Sequence, residues 1–64
     1  MNDIQLELLK SQGYTFERTE KRGTRLVAIA IKPRPDGKGT WKAEAAGADR
    51  REAERNLVLT ITRK

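Results

Sequence analysis

A chain of 64 residues without cysteine is long enough for one small domain and has no disulfide, thiolate metal ligand or catalytic thiol. Its net charge of +5 comes from 14 Lys and Arg against 9 Asp and Glu, and the absence of histidine removes the commonest general base of enzymes. The longest apolar run, Leu26 to Ile31, is far shorter than the roughly 20 residues of a membrane span, and no signal pattern opens the chain. We therefore expect one soluble cytoplasmic domain over residues 1–64, with no enzyme activity, cofactor or metal site.

The first segment, "NDIQLELLKSQG", predicts a helix from about Asp3 to Gln12. Its apolar residues recur at helical spacing, Asn2 or Asp3 can cap its N-terminus, and Gly13 stands just past its end.

Three further segments alternate between apolar and polar residues, which is typical of half-buried strands: residues 14–20, 24–32 and 40–46. Gly23 lies between the first and second predicted strands and indicates a tight hairpin turn there. The Pro- and Gly-rich residues 33–39 predict a loop between the second and third strands.

The second strand has two apolar faces. We expect the bulky residues to face the core: Val27, Ile29 and Ile31. The smaller set should lie on the outer face of the sheet: Leu26, Ala28 and Ala30. Three aromatic residues of the other strands are also expected in the core, although the lone tryptophan could instead stack on a base: Tyr14, Phe16 and Trp41.

The last segment is ambiguous. Asp49 and Glu52 have the spacing of a capping box, and apolar residues recur every four positions, which favours a helix from Arg50 to about Arg63. The β-branched run "LVLTIT" leaves a fourth strand over residues 57–62 as the alternative. A three-stranded sheet needs a second helix to cover its apolar face, so we favour the helix.

The predicted order is helix, three antiparallel strands, helix: an α+β fold (αβββα) with both helices on one face of the sheet. This order resembles the double-stranded-RNA-binding-domain family, which opens its second helix with Gly, a small cap, two basic residues and Glu-Ala, as "GADRREA" does at residues 47–53. Glu7, six residues before Gly13, also matches a glutamate of that family's first helix. The resemblance implies nucleic-acid contacts by Glu7, Arg50 and Arg51.

Residues 6–29 are similar to the opening of HicA-type toxins, which have the same fold. Those toxins resemble ribonucleases that use a histidine after the first hairpin turn. This chain has Thr24 and Arg25 near that place, so we expect no ribonuclease activity.

Positive charge is concentrated after residue 20, where the chain has twelve basic and five acidic residues. In an antiparallel meander the first hairpin turn lies at the end where the third strand exits, so five cations should gather there: Lys21, Arg22, Arg25, Arg50 and Arg51. A second basic group should lie at the opposite end, in and beside the second loop: Lys32, Arg34 and Lys38. Lysine and arginine in such clusters bind phosphates and displace counterions.

Two functions are compatible with these patterns. The first is a non-enzymatic domain that contacts the phosphate backbone of duplex RNA or DNA through the basic edge. The second is a protein-interaction or dimerisation module that uses the outer face of the sheet, with Leu26, Ala28 and Ala30 exposed. Under the second, Arg50 and Glu54 would be an ordinary surface pair on a solvated helix.

Overall fold

The computed structural model describes residues 1–63. Two helices flank three strands in chain order: α1 (Asp3–Ser11), β1 (Thr15–Arg22), β2 (Arg25–Pro33), β3 (Thr40–Gly47) and α2 (Arg50–Thr62). The strands form one antiparallel sheet in the order β1-β2-β3. The predicted αβββα fold is confirmed.

Local capping explains where α1 begins and ends. The Asn2 side chain accepts a bond from the Gln5 backbone N–H (2.8 Å), and the Gln5 side chain accepts one from the Asn2 N–H (3.1 Å). At the other end Gly13 has φ +83°, and the Gly13 and Tyr14 N–H groups donate to the carbonyls of Lys10 and Leu9 at 2.9 Å. These bonds satisfy terminal groups that the helix cannot pair internally.

The last segment is a helix, which resolves the ambiguity of its β-branched run. Leu57 and Val58 are buried, whereas Leu59 is 58% exposed, as helical geometry requires. Thr60 and Thr62 donate their hydroxyls to the carbonyls four residues earlier, at 2.8 and 2.7 Å. Threonine is thus accommodated in the helix by bonding its own backbone, and packing outweighs the weak preference for a strand.

The core lies between the helices and one face of the sheet. Its buried residues come from both helices and from β2: Leu9, Ala28, Ala30, Ala53, Leu57 and Val58. We expected Val27, Ile29 and Ile31 to face this core, but they lie on the other face of β2, where Val27 and Ile29 are nevertheless buried. The expectation that Leu26, Ala28 and Ala30 form an outer face was wrong.

Alanines explain this inversion. In the register of the sheet, Ala28 pairs with Ala45 and Ala30 with Ala43, so four small side chains make a shallow surface under the helices. A shallow surface lets the helix backbones approach the sheet closely while the larger helix side chains fill the remaining space. The alternation of β2 defined its two faces but did not by itself show which one the helices cover.

The face without helices is covered by charged side chains. Val27 is 6% exposed and Ile29 0%. Ion pairs connect side chains of β1 and β3 around these residues; we call Arg18, Glu20, Arg22 and Glu44 the ion-pair layer. Arg22 reaches from β1 to Glu44 on β3 at 2.6 Å, across the central strand. The aliphatic parts of such side chains exclude water from apolar residues while their charged ends stay solvated.

The ion-pair layer should make stability depend on pH. Hydrogen bonds from Arg22 and then Arg18 lower the pKa of Glu20 below its ordinary value of 4.5. Since the folded state holds the carboxylate ionised, this stabilisation is present above pH 4.5 and is lost as the pH falls through the lower folded pKa. We expect Glu20→Gln to be less stable than wild type near neutral pH and the gap to narrow on acidification.

Urea unfolding from pH 7 to pH 3 measures this gap. Glu7→Gln is the control, because Glu7 is exposed and makes no ion pair within residues 1–63. A gap that stays constant with pH would contradict the assignment to Glu20.

Candidate nucleic-acid interface

The first hairpin turn and the start of α2 lie at one end of the domain. Arg22 pairs with Arg25 around the turn, in which Gly23 has φ +62°. One residue further on, Leu26 pairs with Lys21 on β1 and with Gly47, the last residue of β3. The topological argument from the sequence, that the turn lies where β3 exits, is confirmed.

A capped helix start separates two shallow grooves at this end. The Asp49 side chain accepts from the Glu52 N–H at 2.8 Å, and Glu52 accepts from the Ala48 N–H at 3.3 Å. Glu52 borders both grooves. The predicted cap is therefore formed, although the reciprocal bond goes to Ala48 rather than to Asp49.

Basic side chains line each groove. Arg51 and Arg55 line the first, of about 400 Å³, together with Asn2 and Gln5 of α1. Arg25 lines the second, of about 420 Å³, beside Asn56, whose side-chain amide donates to the Ala46 carbonyl at 2.9 Å. Arg55 was not among the residues predicted from the sequence; its position one helical turn after Arg51 is the signal that could have found it.

Arg22 does not belong to this basic group. Its guanidinium lies in the ion-pair layer, where it donates to Glu44 at 2.6 Å and to Glu20 at 2.7 Å. These carboxylates, Glu44 first, raise the pKa of Arg22. The ion pairs with Glu20 and Glu44 hold Arg22 over the face without helices, so the predicted convergence of five cations is wrong for this residue.

Glu54 is turned into the protein instead of pairing with Arg50. It is 5% exposed, and its carboxylate lies 2.7 Å from the N-terminal ammonium of Met1, whose side chain is buried. A buried carboxylate needs such a partner because burial of an unpaired charge is costly. The surface pair considered from the sequence is therefore not formed, and Arg50 is left without this carboxylate.

Five cations at this end remain unneutralised by ion pairs: Lys21, Arg25, Arg50, Arg51 and Arg55. All are exposed, and none forms an ion pair within residues 1–63. We call them the basic end. The exposed carboxylates among them, Asp49 and Glu52, accept the backbone bonds of the cap. Cations outnumber carboxylates here, which favours an anionic ligand.

The second predicted basic group is weaker than expected. Lys32 lies in β2, where its ammonium is 5.6 Å from the ring centres of both Tyr14 and Trp41. Arg34 lies 3.5 Å from Asp36, whose carboxylate also accepts a hydrogen bond from the backbone N–H of Lys38. This loop stands at the opposite end of β2 from the basic end, about 25 Å away at the rise of a strand.

The three aromatic residues expected in the core, and Glu7, which was expected to contact nucleic acid, lie away from the basic end. Trp41 is 45% exposed and Tyr14 and Phe16 are half-buried, so the three lie at the margin of the core rather than inside it. Glu7 is exposed beside Ile4 and Leu8. It lies roughly 200° around α1 from Gln5, away from the first groove.

Across residues 1–63 no cluster of three or more histidine, cysteine, aspartate or glutamate side chains could hold a metal ion. Neither helix in this range is long and apolar enough to cross a membrane. Compared with models of known families, with characterised proteins and with solved structures, the chain matches none.

Proposed function

We propose that this chain is a small, non-enzymatic nucleic-acid-binding domain that contacts the phosphate backbone through the basic end. One observation carries the proposal. Within residues 1–63, three of the four arginines outside the basic end, Arg18, Arg22 and Arg34, are paired with carboxylates and only Arg63 is not, whereas the five cations of the basic end all lack such a partner. Three of the five, Arg25, Arg51 and Arg55, line the two grooves. Exposed cations without a carboxylate partner can each neutralise a phosphate at little desolvation cost.

The backbone near the basic end supports the same proposal. The exposed first turn of α2 carries the helix's positive partial charge, and Arg50 and Arg51 add to it rather than offset it. This arrangement costs stability in the free protein, and a bound phosphate would relieve the repulsion. The resemblance of "GADRREA" to the opening of the second helix in double-stranded-RNA-binding domains points to the same residues.

The proposed ligand is duplex RNA or duplex DNA, read by its backbone and not by its bases. Trp41 lies at the start of β3, whereas the basic end lies where β3 exits, so the sole tryptophan is not placed to stack on a base there. The cytoplasm is the proposed location, since the chain contains no cysteine and needs no oxidising compartment.

Titration of duplex RNA, duplex DNA and single strands at low and moderate salt tests the proposal. The double variant Arg50→Ala/Arg51→Ala should weaken duplex binding roughly tenfold or more and reduce the slope of log K against log salt by about 2. Both changes follow from the loss of two phosphate contacts.

The matched control is Arg34→Ala/Lys38→Ala, which removes the same charge at the opposite end of the sheet. It should bind nearly as tightly as wild type. Equal losses in both double variants would show that net charge alone causes binding, and no binding at low salt would overturn the proposal.

A further inference from the structure

The two edges of the sheet differ in how well they are protected from pairing with another strand. β1 has an irregularity between Phe16 and Arg18 that interrupts its register. It is also densely charged, with "ERTEKR" in its second part. Bulges and charges are the usual means by which proteins block an edge strand.

β3 has no such irregularity and carries less charge than β1. Its residues pair with β2 in an unbroken register from Thr40 to Gly47. Only Lys42 and Glu44 in this stretch are charged. On the helix side Ala43 and Ala45 are half-buried, whereas their neighbours on β2 are 0% exposed. Within residues 1–63 no further strand pairs with β3. The Asn56 amide of α2 donates to the Ala46 carbonyl near the end of the strand, so the edge available to another strand is that of residues 40–45.

We propose that the open edge of β3 binds a second copy of this chain, antiparallel, with the twofold axis at Ala43. The charges of the strand favour this register over the two adjacent ones. Centring the pair on Ala43 places Lys42 of each copy opposite Glu44 of the other. Centring it on Lys42 would oppose two ammonium groups, and centring it on Glu44 would oppose two carboxylates, which is destabilising in directly facing positions.

Side-chain size agrees with the same register. Trp41 would lie opposite Ala45 of the second copy, on the side of the sheet that carries the helices. A large indole facing a small methyl group fills space without collision, and the 45% of Trp41 that is exposed would lose contact with water. The exposed position of this residue, which the core of one chain does not explain, is accounted for by the pair.

The ion-pair layer is compatible with this pairing. Glu44 accepts from Arg22 within its own chain, at 2.6 Å through one oxygen and 3.4 Å through the other. A carboxylate has about four acceptor sites, so it can also accept from Lys42 of the second copy. Lys42 makes no ion pair within residues 1–63 and is free to reach across. The result is a continuous six-stranded sheet whose two basic ends point in opposite directions.

Sedimentation equilibrium over a range of protein concentrations tests the pair, with the fluorescence of the sole tryptophan as a second readout. Wild type should dimerise, and its emission should shift to shorter wavelength as the dimer forms. Lys42→Glu and Glu44→Lys should each raise the dimer Kd on the order of tenfold, because each places like charges opposite one another twice. An equimolar mixture of the two variants should dimerise like wild type, since opposite charges then face each other at both positions.

Glu44→Lys also removes the ion pair with Arg22, so circular dichroism must show that it folds. If it does not fold, Lys42→Glu is compared with Lys42→Gln. The charge reversal should weaken the dimer more than the neutral change, and added salt should reduce the difference by screening. Three results would each overturn the proposal. Wild type stays monomeric at about 1 mM, the single variants dimerise like wild type, or the two variants fold but do not associate with each other.

Discussion

Gly47→Ala is expected to destabilise the domain by about 3 kcal/mol, near the upper end of the usual cost of overpacking. A Cβ at position 47 would press against the Ala53 backbone nitrogen, 2.8 Å from the Glu52 carbonyl carbon and 2.9 Å from the Ala53 Cα. Backbone atoms cannot rotate away as a side chain can, so α2 would have to shift from the sheet. Because a domain of this size has a stability of about 3–10 kcal/mol, the variant could lose much of it.

Gly37→Ala is the matched control for this prediction. Gly37 has φ +71° with no atom within 4 Å of an added Cβ, so its cost comes from backbone strain alone, about 1 kcal/mol. Gly47 is not in the left-handed region, and its cost comes from contact alone. Urea or thermal unfolding of the two variants separates these causes; a smaller loss for Gly47→Ala than for Gly37→Ala would contradict the close approach of α2.

Ile29→Ala is expected to cost about 3 kcal/mol, as a substitution in a conventional core does. Ile29 lies on the face of the sheet without helices but is 0% exposed. It pairs with Arg18 on β1 and Glu44 on β3, both members of the ion-pair layer. If these side chains exclude water from the isoleucine, its truncation leaves a cavity as well as lost apolar burial.

Ile4→Ala is the control, since Ile4 is 72% exposed on α1. Its cost should be within about 0.5 kcal/mol of zero, as for most surface substitutions. Chemical unfolding of both variants measures the difference. Strand preferences at solvated positions span about 1 kcal/mol. If Ile29→Ala costs less than this, the ion-pair layer is open to water.

The start and end of each element depend on interactions within a few residues, and these were predictable. The Asp49–Glu52 cap, the stop at Gly13 and the turn at Gly23 all use side-chain or backbone chemistry that the sequence displays directly. The same holds for the position of the first hairpin turn at the end where β3 exits, because an antiparallel meander allows no other arrangement.

The candidate site was only partly predictable for a different reason. Arg22 and Arg25 flank the same turn, yet Arg22 is neutralised by Glu20 and Glu44 while Arg25 is not. Glu44 is distant in the sequence, and no local pattern shows that it faces Arg22. Likewise, the pairing of Glu54 with Met1 depends on how α1 packs against α2.

The sequence by itself determined the first helix, the three strands, the helix caps and the excess of positive charge near α2, and it favoured a helix over a fourth strand for the last segment. Tertiary structure decided which side of β2 became the core, because alternation specifies two faces but only the packing of helices against Ala28 and Ala30 selects one. It also decided which cations remain unpaired, since ion pairs form between side chains that the fold brings together from different strands and termini.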